Sequence, residues 1–179
     1  EIPNVETEGL HGGVRYHDGQ FDDARMAATL AMTAADHGAA VATRCRVIGL
    51  LKEGDHCVGV RVVDREAAAG DEEFEIRAKV VINACGIFAD EIRRMDEPEC
   101  DSVIEPAQGV HLVLDRSFQP SETAIMVPHT DDGRVLFVIP WHGRVVVGTT
   151  DTPMKSADLE PRALPDEVDF ILRNASRDL

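Results

Sequence analysis

The spacing of hydrophobic positions changes along the chain. After Asp22 and Asp23, residues 24–37 carry apolar side chains at helical spacing, and Gly38 lies where a C-terminal cap belongs. Short β-rich stretches separated by polar or glycine-containing turns flank this helix. The pattern predicts a short strand at 13–20 that leads into the helix, and after the helix a β-meander with strands at 40–43, 46–51, 58–63 and 74–82.

An apolar run over residues 79–86 ends in the small residues Asn-Ala-Cys-Gly. Buried parallel strands that stop beside a ligand have this character, because small residues let the backbone approach a flat or phosphorylated molecule. We expect a buried strand here and a helix over 87–95. An ordinary strand-to-helix turn would show the same pattern, so the spacing alone leaves both interpretations open.

The second half favours an antiparallel sheet. A tight turn at 131–134 separates two of its closely spaced segments, and Pro165 begins a final helix with acidic residues in the first turn. The fold class is therefore a mixed α+β or α/β arrangement, which we divide into residues 1–105 and 106–179. The strands of this half are predicted at 109–114, 123–127, 135–140 and 145–149.

Charge and cysteine usage exclude several classes of function. The formal net charge of −15 repels nucleic-acid phosphates and anionic lipid. The four cysteines lie far apart without a Cys-x-x-Cys pair, so we expect reduced thiols, no metal site and a cytoplasmic setting. No stretch approaches the roughly 20 apolar residues of a membrane-spanning helix.

Several motifs together resemble the FAD-dependent, quinone-linked glycerol-3-phosphate dehydrogenases. Residues 80–90, VVINACGIFAD, resemble a flavin-contacting motif of the wider oxidase group that includes D-amino-acid oxidase. The narrower resemblance rests on DGQFDDAR before the first helix and on three segments of the second half. These segments are PAQGVHLVL at 106–114, DGRVLFVIPW at 132–141 and VGTTDT at 147–152.

The resemblance implies a D-amino-acid-oxidase-like FAD-binding fold. Residues 1–105 would form part of the FAD domain, and residues 106–179 the antiparallel sheet of the substrate domain. The chain begins without methionine and has no Gly-x-Gly-x-x-Gly after a strand, the motif that holds the FAD pyrophosphate. We therefore expect an internal fragment that is inactive alone and retains FAD poorly.

The implied reaction oxidises sn-glycerol 3-phosphate to dihydroxyacetone phosphate and passes electrons to quinone or oxygen. It needs a base near the substrate hydroxyl and cations for the phosphate. His111 is the candidate catalytic residue, as a base or as an orienting donor, although a histidine on a strand can simply be exposed or hydrogen-bonded. The parent protein could lie peripherally on the inner face of the cytoplasmic membrane.

Candidate binding residues follow from the same motifs. Arg134, Thr150 and Asp151 are expected to bind substrate, although a solvated turn arginine and an Asx-type turn are the ordinary alternatives. The resemblance assigns cofactor contacts to Val47, Ala84 and Gly86. Two rival functions stay open, namely a related flavin enzyme for an amino acid or a 2-hydroxy acid, and a non-catalytic binding module.

Overall fold

The chain forms two compact units. The computed structural model describes residues 2, 5–66 and 71–178. Gly13–Ser102 is called the meander unit here, and Glu1–Gly12 together with Val103–Leu179 is called the sheet unit. The expected assignment of residues 1–105 to a cofactor domain and 106–179 to a substrate domain stays a prediction.

The first helix, α1 (Asp23–Asp36), confirms the predicted caps. The carboxylate of Asp22 accepts a hydrogen bond from the backbone nitrogen of Arg25 at 2.9 Å. Gly38 follows the helix with a φ of +88°, and its amide donates to the carbonyl of Ala35 at 2.9 Å. This left-handed residue ends the helix because a side chain there would be strained.

The predicted β-meander is present as three antiparallel strands, β1 (Cys45–Glu53), β2 (His56–Asp64) and β3 (Glu72–Arg77). The central strand carries the buried Val62 and Val63. The predicted hairpin tip at 66–73 lies in part outside the described residues.

Three predicted strands are not formed in the described part of the meander unit. Residues 13–20 and 40–43 are exposed and do not form strands, and after the Ala78 amide bonds to the carbonyl of Val58, residues 79–85 continue outside the sheet. Val80 and Ile82 are 72% and 82% exposed. The prediction of a buried strand at 79–86 is therefore wrong for this chain, because a strand also needs a neighbour for its backbone hydrogen bonds.

A single 3₁₀ turn (Gly86–Phe88) leads into α2 (Ala89–Asp96), close to the predicted helix. This helix packs against β1. An ion pair between Arg46 and Glu91, 3.8 Å apart, and a second pair between Lys52 and Asp96 join the two elements. Exposed ion pairs add little to the free energy of folding. These two pairs therefore show where α2 lies on β1 and contribute little to its stability.

The sheet unit contains two antiparallel sheets, as predicted for the second half. The larger sheet has the order β5-β8-β7-β6, and β4 pairs with β9. The strands are β4 (Ala107–Gln108), β5 (His111–Asp115), β6 (Ile125–Val127), β7 (Leu136–Trp141), β8 (Arg144–Gly148) and β9 (Thr152–Pro153).

The core of the sheet unit lies between the larger sheet and α3 (Pro165–Asp178). Side chains alternate along each strand, so one face supplies the core and the other is left outside it. Within the described ranges, no helix is both long and apolar enough to cross a membrane. The buried apolar residues of this core are Val127, Leu136, Val138, Val145, Val147, Ile171 and Ala175.

Candidate active site

His111 begins β5 on the face of the sheet that is turned away from the core. The strand register pairs it with Gly148 of β8, which also pairs with Phe137 of β7. Its neighbours Val110 and Leu112 pack against the core. Because side chains alternate, the imidazole of His111 is directed to the opposite side, where it is exposed.

The ring of His111 lies directly against Gly148. A Cβ atom on Gly148 would be 2.6 Å from Cδ2 of His111 and 2.8 Å from the backbone oxygen of Val110. Carbon atoms pack at roughly 3.5–4.0 Å, so any side chain at this position would displace the ring or the strand. The position of the imidazole therefore depends on the glycine beside it.

Two threonines fasten the segment after Gly148 to the start of β5. The hydroxyl of Thr149 donates to the carbonyl oxygen of Val110 at 3.1 Å. The hydroxyl of Thr150 accepts from the amide of Val110 at 3.0 Å and donates to the Glu167 carboxylate at 3.1 Å. Thr150 is 4% exposed, so its hydroxyl is used within the protein, and its contact with substrate stays a prediction.

The guanidinium of Arg134 lies between two carboxylates. Its Nε donates to Oδ2 of Asp132 at 2.9 Å, and Nη1 lies 3.6 Å from Oδ2 of Asp151. The hydrogen bond from Arg134 lowers the pKa of Asp132 to about 2. The guanidinium carbon is 6.0 Å from the centre of the Phe170 ring, within reach of a cation–π contact. The structure thus brings together two predicted substrate residues, Arg134 and Asp151.

The turn that carries Arg134 is tied to α3 through Asp131. The carboxylate of Asp131 accepts from Nε of Arg173 at 2.8 Å and pairs with Nη1 of Arg177 at 3.3 Å. Its amide donates to Oδ1 of the buried Asn174 at 2.9 Å. The hydrogen bond from Arg173 lowers the pKa of the Asp131 carboxyl despite some desolvation. These contacts hold the turn on the helix.

Glu167, in the first turn of α3, is a buried carboxylate that accepts four hydrogen bonds. Desolvation raises the pKa of this carboxyl, but the hydrogen bonds outweigh it and the pKa lies below its ordinary value. Sequence reasoning assigned Glu167 only to the helix dipole, because one of its partners lies 59 positions away and leaves no local signal. The donors are Gln108 Nε2 at 2.7 Å, the Leu164 amide at 2.8 Å, Thr152 Oγ1 at 2.7 Å and Thr150 Oγ1 at 3.1 Å.

The three predicted cofactor residues belong to the meander unit. Val47 is half-buried in β1, and Ala84 and Gly86 are exposed before α2. Asn83 shapes this turn, since its Nδ2 donates to the carbonyl of Ala89 at 2.9 Å. Gly86 has a φ of +55°, and no atom lies within 4 Å of where its Cβ would be. An open turn of small residues fits the approach of a flat or phosphorylated group.

The described residues therefore place the candidate chemistry in two sets. His111, Arg134, Thr150 and Asp151 lie in the sheet unit, whereas Val47, Ala84 and Gly86 lie in the meander unit. Among the described residues, no group of three or more His, Cys, Asp or Glu side chains is arranged to hold a metal ion.

Comparison with a family model decides the class of protein. The model of FAD dependent oxidoreductases, DAO, matches residues 1–177. The chain belongs to this family. The expected class of FAD-dependent oxidoreductase is thereby confirmed.

This FAD-dependent oxidoreductase chain is similar to mitochondrial glycerol-3-phosphate dehydrogenases. It is 42% identical over 177 residues to the protein of Macaca fascicularis and 41% identical over the same length to that of Homo sapiens. The protein of Schizosaccharomyces pombe is 38% identical over 185 residues. These matches cover 96% to 98% of the chain but 24% to 28% of the relatives, so the chain spans about a quarter of their length.

Solved structures support the fold. The glycerol-3-phosphate dehydrogenase from Bacillus halodurans, complexed with FAD, matches with a TM-score of 0.91 and 33% identity. The match covers 98% of this chain and 35% of that one. L-proline dehydrogenase from P. horikoshii matches with a TM-score of 0.57 and 17% identity, which shows a shared fold alone. The predicted D-amino-acid-oxidase-like fold is thus confirmed.

Proposed function

We propose that the protein containing this chain oxidises sn-glycerol 3-phosphate to dihydroxyacetone phosphate with FAD as its cofactor. The proposal rests on the position of the His111 ring, which lies against Gly148 on the exposed face of the sheet. The similarity to glycerol-3-phosphate dehydrogenases supports the choice of substrate. The rival substrates, amino acids and 2-hydroxy acids, carry a carboxylate in place of a phosphate.

The proposed reaction removes a proton from the secondary hydroxyl and a hydride from the carbon that bears it. Bound FAD supplies the acceptor for the hydride. A neutral imidazole at His111 accepts the hydroxyl proton, so that the oxygen can form a carbonyl as the hydride leaves. Because His111 is exposed and rests on a glycine, a substrate can reach the ring without first displacing a side chain.

Arg134 is the proposed contact for the substrate phosphate. Its short contact with Asp132 keeps the side chain in place and raises the pKa of the guanidinium, so its charge is kept. The contact with Asp151 is longer, at 3.6 Å, and both side chains are partly exposed. A phosphate can therefore replace Asp151 beside Arg134 while Asp132 stays bound. Thr150 and Asp151 are the other proposed substrate contacts, and the Asp151 carboxylate, once parted from Arg134, can accept a hydrogen bond from a substrate hydroxyl.

Val47, Ala84 and Gly86 are the proposed FAD contacts. The support comes from the open turn at Gly86 and from the family match. Small exposed residues at Ala84 and Gly86 let the backbone amides approach phosphate oxygens. Val47 offers backbone and a small apolar surface from β1.

We also propose that electrons pass to quinone or oxygen, in a protein of the cytoplasm that meets a membrane peripherally. A quinone acceptor would require such a contact because quinones dissolve in the lipid phase. The named relatives from animals and yeast are mitochondrial. Cell fractionation, followed by assays with a soluble quinone and with oxygen, tests the acceptor and the location.

The test of the substrate is anaerobic reduction of the flavin in the FAD-loaded protein that contains this chain. We expect sn-glycerol 3-phosphate to bleach the flavin absorbance, and amino acids or 2-hydroxy acids to leave it unchanged. His111→Gln should slow bleaching by roughly 10²- to 10⁴-fold, the usual contribution of general base catalysis. His56→Gln is a matched control on the β1–β2 hairpin. Bleaching by a rival substrate alone would overturn the assignment, and a protein that binds no flavin would favour the binding module.

A further inference from the structure

The start of β5 and the end of β8 meet at a buried junction around Glu167. We propose that Glu167 is a positioning residue, which holds residues 149–152 against residues 108–110 and thereby fixes where His111 and Asp151 lie. The role in catalysis rests on the proposed function, since it acts through His111.

The Glu167 carboxylate joins three segments of the chain. Oε1 of Glu167 accepts from the hydroxyls of Thr150 and Thr152. Oε2 accepts from Nε2 of Gln108 and from the amide of Leu164. Because Gln108 and Thr152 are also paired across β4 and β9, the carboxylate fastens both strands of this small sheet to α3.

A chain of hydrogen bonds connects the Glu167 carboxylate to the backbone beside His111. The hydroxyl of Thr150 has one proton, which it donates in its hydrogen bond to Glu167. The oxygen of this hydroxyl is therefore free to accept a hydrogen bond from the amide of Val110. Val110 precedes His111 directly. The segments are in close contact here, since a Cβ on Gly109 would lie 2.8 Å from Oγ1 of Thr149. The backbone that carries the imidazole is thus held in place from Glu167.

The Glu167 carboxylate also holds the backbone on both sides of Asp151. This residue lies between Thr150 and Thr152, and both of these hydroxyls are bound to Glu167. Its own carboxylate is 62% exposed and faces Arg134 at 3.6 Å. The junction therefore fixes Asp151 from both sides while its side chain stays accessible.

The charge of Glu167 is essential to the arrangement. Glu167 is 4% exposed, and a carboxylate buried to this degree needs hydrogen-bond donors in place of water. A glutamine in its place would carry an NH2 group, which is itself a donor, opposite two of the four donors that bind the carboxylate. The nitrogen of a glutamine would turn towards the threonines, because hydroxyls can rotate to accept and the Leu164 amide cannot. The proton of Thr150 would then lose its acceptor, so the disturbance falls on the link to Val110.

The activity test compares the Glu167→Gln variant with the unsubstituted parent protein, both loaded with FAD. Displacements of about 1 Å can cost on the order of 100-fold in rate, so we expect flavin reduction at saturating sn-glycerol 3-phosphate to slow by roughly 10- to 100-fold. The flavin spectrum should be retained. Thr150→Val should have a similar effect, and the double variant should be little slower than either one, since both changes break one link.

Two control variants separate positioning from loss of stability. Ile171→Val trims a fully buried residue of the same helix and should lower the melting temperature without slowing flavin reduction. Asp166→Asn removes an exposed charge from the same helical turn and should leave the rate unchanged. If Glu167→Gln lowers the melting temperature as Ile171→Val does and leaves the rate per bound flavin unchanged, the proposal is overturned.

A spectroscopic test does not depend on activity. The imidazole resonances of His111 in the chain, assigned with His111→Gln, should shift in Glu167→Gln and stay in place in Ile171→Val. Unshifted resonances would overturn the positioning role even if the substrate assignment holds. If the flavin of the parent is not reduced by sn-glycerol 3-phosphate but the resonances shift, the proposed function fails and Glu167 still positions His111.

Discussion

The sheet unit and the meander unit differ in how they bury apolar residues. Among the described residues, the sheet unit has a core of seven buried apolar side chains between its larger sheet and α3. In the described part of the meander unit, the buried apolar residues are Val62 and Val63. Val80, Ile82 and Leu30 of that unit are 72%, 82% and 61% exposed.

Burial in the two units therefore does not follow from apolar content alone. In the sheet unit, alternating strands direct one row of side chains onto a helix, which encloses them. In the meander unit, α1 has no buried residue, and within the described ranges residues 79–85 are not part of a strand. Stability should therefore be concentrated in the sheet unit.

The largest effect is expected in the core of the sheet unit. Leu136 is fully buried, and Leu136→Ala should lower the free energy of unfolding by about 2–5 kcal/mol. The single tryptophan, Trp141, lies on the same strand and reports this unit through its fluorescence during urea unfolding. Val62→Ala should leave the midpoint of that fluorescence transition nearly unchanged. An equal shift from both variants would show that the two units unfold as one.

The next effect concerns the glycine beside His111. Gly148→Ala should slow flavin reduction by on the order of 100-fold, because its Cβ would displace the imidazole. Gly143→Ala is the control in the adjoining hairpin, where φ is +74° and no atom lies near the added carbon. It should cost about 1–2 kcal/mol of stability through backbone strain and leave the rate per bound flavin unchanged. Equal rates in both variants would remove Gly148 from the site.

A smaller effect is expected from pH. The pKa of Asp132 is lowered from 3.8 to about 2 by its hydrogen bond with Arg134. The unfolded chain therefore takes up this proton at higher pH than the folded chain, so the stabilisation is present above about pH 4 and is lost as the pH falls towards 2. Asp132→Asn should flatten the fall in the urea midpoint between about pH 4 and pH 2. Arg134→Gln should flatten it as well, and an unchanged slope in both would contradict the pairing.

The smallest effect is expected at the exposed apolar residues of the meander unit. Val80→Ser should change the free energy of unfolding of this chain by no more than about 0.5 kcal/mol, as is usual for exposed sites. Circular dichroism during thermal unfolding measures the change. A loss above 1.5 kcal/mol would show that Val80 is buried and would remove the contrast between the units.

Local signals made much of this fold predictable. The caps of α1 at Asp22 and Gly38 and the alternation in β5, β7 and β8 lie within a few residues of the elements they specify. The strand expected at 79–86 failed because its apolar residues record a tendency to be buried, whereas a strand depends on a partner.

The candidate site was predictable only in part. The motifs placed His111, Arg134 and Asp151 on the same half of the chain, and the structure brings the last two within 3.6 Å of each other. The contact of Gly148 with His111 depends on the strand register, and three of the four donors to Glu167 lie 15 or more positions away in the sequence. Neither has a local signal, and the roles of the predicted residues stay predictions.

The strand register of the larger sheet has a consequence for how this protein can diverge. His111, Gly148 and Phe137 form one row across three strands. A slip of one residue would turn His111 towards the core and Val147 towards solvent, because side chains alternate along a strand. Substitutions within the strands leave this register unchanged. Insertions and deletions are tolerated only in the loops, where the alternation of the strands is preserved.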